Sequence, residues 1–69
     1  MIQTTTATGL DLKLARIGKR VKQGPIAHEM GVSVSRISAI EREAVVTAAT
    51  RDRYLDALTR AAQAHTSAA

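Results

Sequence analysis

QGPIAHEMGVSVSRISAIER, residues 23–42, decides the fold. It holds the chain's only proline and two of its four glycines. Pro25 suits the first turn of a helix, where its missing N–H would have had no partner. A helix of about two turns follows, carrying Ile26, Ala27 and Met30 inward. Gly31 ends it, because a left-handed backbone position is cheapest for glycine. Ser33 then caps a second helix from Val34 to about Arg42, with Ile37 and Ile40 on one face. Ala27 is small where the two helices must cross, and Val32 completes the apolar set with Met30. Two short helices joined by so tight a turn form a helix-turn-helix, whose second helix can enter the DNA major groove. Its outer face, Val34, Ser35, Arg36, Ser38 and Ala39, is left free for that.

Outward from this stretch the pattern stays helical. Leu10, Leu14, Ile17 and Val21 recur at intervals of four, three and four, which predicts a first helix from about Leu10 to Lys22 with these residues turned inward. Thr8 and Asp11 have the form of a capping box. Lys13, Arg16, Lys19, Arg20 and Lys22 make the same helix basic, with no acid among them; the plain alternative is a solvated face with cations near a helix C-terminus. Residues 43–50, EAVVTAAT, read as a connection. Thr47 or Thr50 caps a last helix, about Arg51 to Gln63, whose stripe is Tyr54, Leu55, Leu58, Ala61 and Ala62. No strand pattern and no internal repeat appear. The expected fold is all-α, a compact bundle of four to five short helices: a loose arm at 1–8, one domain at 9–63 and a frayed tail at 64–69.

Composition narrows the function classes. Sixty-nine residues make one domain with a modest core. The absence of cysteine excludes disulfides and thiolate metal sites, and no metal or other cofactor is expected. With one tyrosine and no Phe or Trp, the core must come from aliphatic residues. MIQTTTATGL has neither a basic start nor an apolar run, so no signal peptide is expected. The longest apolar stretch, AVV, is far too short for a membrane span. We therefore expect a cytoplasmic protein. Ten Lys and Arg against six Asp and Glu give a net charge of +4 and a pI near 10.4, compatible with a polyanionic partner.

The chain resembles the phage Cro/repressor type of helix-turn-helix domain, also called the XRE family. The resemblance is carried by Q..IA..MGVS.SRIS.IER, by the basic amphipathic helix before it and by RYLDAL after it, and spans residues 10 to 62. It implies a lambda-repressor-like fold and sequence-specific binding of double-stranded DNA by a transcriptional regulator. Carried over position by position, Gln23 contacts a phosphate and buttresses a base-reading side chain. Ser33 to Arg36 reach the base edges, Ala39 lies one turn further on, and Arg42 meets the backbone. Phosphate contacts set register while base edges carry sequence. This division makes Val34, Ser35, Arg36 and Ala39 the expected base readers. Gln23, Lys19, Arg20, Lys22, Ser33, Ser38 and Arg42 are the expected backbone contacts. Arg36 leads, because a guanidinium donates two bonds to guanine O6 and N7; its alternative is a surface arginine touching phosphate alone. The family also implies an ion pair between Arg16 and Glu41, which would make Arg16 structural. Gly24-Pro25 departs from the family pattern and leaves open whether Gln23 lies within the helix. The short chain favours a Cro-like regulator over one that senses an effector.

Rival functions are few. Catalysis is not expected, since His28 and Glu29 are adjacent and point in different directions on a helix, and His65 lies in the tail. A protein-interaction adaptor, an antitoxin or an RNA polymerase-associated factor, is the first alternative. GVSVSRISAIEREAV also looks like the promoter-binding region of sigma factors. A recombination accessory factor is the second. A homodimer, at least on DNA, is expected because one recognition helix reads few base pairs. Its half-sites would lie about 34 Å apart, and its candidate contact is Tyr54, Leu55, Leu58 or Ala62, unless the core consumes them.

Overall fold

The computed structural model describes residues 7–67, with side chains through Ala64. Residues 1–6 of the expected arm and 68–69 of the expected tail lie outside the described residues. Among the described residues four helices form an all-α bundle: α1 Gly9–Gly18, α2 Gln23–Met30, α3 Val34–Glu41 and α4 Ala48–Ser67. Among the described residues there is no strand, only an antiparallel bridge in which the Val46 N–H donates to the Ala7 carbonyl at 2.9 Å. None of the helices is long and apolar enough to cross a membrane.

Capping explains the boundaries. Thr8 and Asp11 form the expected capping box, with reciprocal bonds of 3.1 and 3.0 Å. At its other end α1 stops at Gly18, four residues before the expected Lys22. The Arg20 N–H donates to the Ile17 carbonyl and the Val21 N–H to that of Arg16, the double closure of a Schellman motif. Arg20 takes the left-handed position, φ 58°, which glycine usually fills. This turn frees Val21 to drop into the core.

α2 begins at Gln23 itself. The residue directly before the proline is Gly24, so the restriction that precedes proline falls there and not on Gln23. Gly31 ends α2 at φ 70°, and the Ser33 hydroxyl accepts the Arg36 N–H at 3.1 Å to start α3. Of the two candidate caps of α4, Thr47 accepts the Thr50 N–H at 3.2 Å. The helix therefore starts at Ala48, before the expected Arg51, and it runs past Gln63 to Ser67.

The core joins Leu12 and Val21, Ile26 and Ala27, Ile37 and Ile40, Val46, and Tyr54, Ala57, Leu58 and Ala61. The inward faces expected for α2 and α3 are found, with Met30 and Val32 partly buried. That of α4 is found at Tyr54, Leu58, Ala61 and, in part, Ala62, but Leu55, expected in the same stripe, is exposed because it lies on the edge of the helix away from the core. The face expected for α1 is not found. Leu10, Leu14 and Ile17 are 57, 56 and 50% exposed, whereas Leu12 is 2% exposed. Gly9 sets this rotation. A Cβ there would stand 2.3 Å from the Ile40 carbonyl oxygen and 2.6 Å from the Glu41 carbonyl carbon. The Gly9 N–H also donates to the Glu43 carbonyl at 2.8 Å. The helix thus presses its backbone against the end of α3 along Gly9, Leu12 and Arg16, turning the leucine stripe away.

Candidate nucleic-acid interface

The α3 helix has an inner and an outer side, and the inner side holds its orientation. Glu41 ends α3 as a buried carboxylate, its side chain only 3% exposed. Arg16 reaches it from α1 with two bonds, Nε to Oε2 at 2.7 Å and Nη2 to Oε1 at 3.1 Å. From α2, the Gln23 Nε2 donates to Oε1 at 2.9 Å. The Tyr54 hydroxyl donates from α4 to Oε2 at 2.5 Å. One carboxylate therefore ties all four helices at the C-terminal end of α3. Arg16 also donates through Nη1 to the Val21 carbonyl at 3.1 Å, so the same guanidinium braces the α1–α2 connection.

The electrostatics follow from this geometry. Burial pushes the Glu41 carboxyl up, but bonds from Arg16, Tyr54 and Gln23 outweigh it and hold the carboxyl below its ordinary value. Burial and the Glu41 carboxylate push the Tyr54 hydroxyl well above its ordinary range. The hydrogen bonds to Glu41 raise Arg16 as well. Arg16 is therefore a structural cation, as the family resemblance implied. Gln23, expected on a phosphate, has one amide N–H committed to Glu41. The second donor of that amide sits at the start of α2.

The outer side carries the expected readers. Val34, Ser35 and Arg36 are exposed at the start of α3, while Ser38 and Ala39 are half-buried. Arg42 is exposed and its Nη1 donates to the Ser38 hydroxyl at 3.1 Å. The Ser33 hydroxyl is engaged as the helix cap, which fixes the backbone from which Ser35 and Arg36 project. Lys19, Arg20 and Lys22 are all exposed on the α1–α2 connection. Lys22 is the N-cap residue of α2 and makes no side-chain cap bond, so no cap side chain occupies the first N–H groups of α2. A helix N-terminus flanked by lysine and arginine favours an anion.

Three contributors escaped the sequence reading. Tyr54 was expected as an apolar stripe residue, yet it is fully buried by its ring and bonded at its hydroxyl. As the only aromatic residue with a polar tip, it was the signal to look for a buried acceptor. Glu43 stands 3.9 Å from the Arg36 Nη1, two turns along from it. Gly9 entered only as the first residue of the domain at 9–63, with no role of its own. The sequence matches no protein-family model, no curated protein and no solved structure.

Proposed function

We propose that this chain binds double-stranded DNA in a sequence-specific manner, as a Cro/repressor-like transcriptional regulator, with the outer face of α3 in the major groove. The observation that carries this reading is the two-sidedness of α3. Ile37, Ile40 and Glu41 are buried and Glu41 is tied to every other helix, while Val34, Ser35, Arg36 and Arg42 face outward from a capped N-terminus. A rigid helix presenting short polar side chains and one guanidinium suits base edges, which need positions held to within a fraction of an ångström.

The α1–α2 connection supports the division between reading and positioning. Arg20 occupies a left-handed conformation that costs an arginine about 1–2 kcal/mol relative to glycine. Strain of this kind marks a side chain whose function outweighs its backbone preference. Here that function is a phosphate contact, shared with Lys19 and Lys22 at the open start of α2.

A binding selection from random duplex DNA tests the proposal. The expected product is a discrete consensus, bound far more tightly than scrambled DNA. Arg36→Ala then lowers discrimination at one position by about 1–3 kcal/mol. Lys22→Ala weakens binding to every duplex and shallows the salt slope by about one unit. Selected duplexes without any consensus would reject the reading in favour of an adaptor that acts through a protein partner.

A further inference from the structure

Leu10, Leu14 and Ile17 are at least half exposed on α1, where the sequence pattern expects them in the core. Their four-and-three spacing puts them in one stripe, turned away from the buried Gly9 and Leu12 and the half-buried Arg16. Such a stripe is the seam by which helices pair with helices. The two flanks of the stripe differ in sign. Lys13 lies on one side and Asp11 on the other, both exposed. Gly18 adds room on the Asp11 side, with nothing within 4 Å of where its Cβ would stand.

We infer that α1 pairs with α1 of a second copy of this chain, the two helices side by side in parallel sense about a two-fold axis. In that arrangement each stripe residue meets its own symmetry mate. The Lys13 flank of each copy also falls on the Asp11 flank of the other, so the charges are complementary twice over. Of the α4 residues expected to serve this purpose, Tyr54 and Leu58 are buried, which leaves only Leu55 and part of Ala62 outside the core. Three half-exposed side chains fall well short of the roughly 800 Å² per partner of a stable dimer. The contact is accordingly weak in free solution and is completed when one duplex holds two copies as neighbours. Only this last statement rests on the DNA-binding reading; the α1 contact itself does not.

The chain contains no cysteine, so single-cysteine variants report their own contacts. Leu10→Cys, Leu14→Cys and Ile17→Cys, with Gln63→Cys on α4 as control, are oxidised with diamide at one protein concentration, with and without a selected duplex. All three stripe variants should form disulfide-linked dimers roughly tenfold faster than the control, and faster still on DNA. Rates equal to the control at all three positions overturn the proposal and leave the face to a different protein. Fast self-linkage at Leu14→Cys alone, with Leu10→Cys linking instead to Ile17→Cys in a mixture, overturns the parallel arrangement. The DNA-free arm separates the two readings. Stripe linkage in a protein that selects no duplex keeps the α1 contact and rejects operator reading. Control-level linkage in a protein that selects a duplex does the reverse.

Discussion

Glu41 is the residue on which the arrangement turns, because a carboxylate so deeply buried is tolerable only with every lone pair occupied. Removing its charge with Glu41→Gln leaves the Arg16 guanidinium partly buried and unpaired, a loss of about 3–5 kcal/mol. A domain of this size has about that much stability in total, so urea titration should find this variant largely unfolded in water. Tyr54→Phe removes a single donor and should cost about 1–3 kcal/mol, leaving a folded protein with a lower urea midpoint. Arg20 separates stability from binding. Arg20→Gly relieves the left-handed strain and should stabilise the fold by about 1 kcal/mol. It removes a cation from the proposed phosphate site, so affinity for DNA should fall as the melting temperature rises. If both rose together, Arg20 would have no part in binding. Arg36 and Glu43 form an exposed pair worth little to stability. Glu43→Gln should leave the urea midpoint in place and act only on the affinity for DNA.

Helix α1 owes its orientation to Gly9 and Arg16 rather than to its leucines. Gly9→Ala would drive a methyl group into the backbone of Ile40 and Glu41, where no side chain can rotate aside. A loss of about 1–3 kcal/mol is expected, with α1 displaced from α3. At Gly31 a Cβ meets nothing within 4 Å, so Gly31→Ala carries only the strain of its positive φ, about 1–2 kcal/mol. The stripe provides the sharpest contrast within one helix. Leu12→Ala should cost about 2–5 kcal/mol, whereas Leu14→Ala should stay within about 0.5 kcal/mol in a dilute monomer. Equal losses at the two positions would mean that α1 is rotated from the orientation described. The Ser33 cap is the corresponding feature of α3, and Ser33→Ala should lower stability by about 1 kcal/mol.

At the scale of the whole molecule, the carboxylate and phenol at the shared vertex set the pH range of the fold. Glu41 has a folded pKa below its ordinary 4.5. Its contribution is complete above that pH and is lost as pH falls through the depressed folded value. Tyr54 is raised above its ordinary 10.0. Its contribution is complete below that pH and is lost as pH rises through the raised folded value. Urea midpoints should therefore form a plateau between these limits and fall on both sides, and Tyr54→Phe should remove the alkaline fall attributable to this hydroxyl. Local chemistry made much of this molecule legible in the sequence. Caps at Thr8 and Ser33, Pro25 in a first turn, Gly31 at a positive φ and the spacing of Ile37 and Ile40 act within a few residues, so they mark the helices and their breaks. The pairing of Arg16 with Glu41 came from resemblance rather than from spacing. The rotation of α1 was not legible, because Leu10, Leu14 and Ile17 describe an apolar face equally well whether it meets the core or a second molecule. That choice belongs to contacts between residues far apart in the chain, where the bare backbone of Gly9 meets the end of α3 and Arg16 and Tyr54 converge on one buried carboxylate.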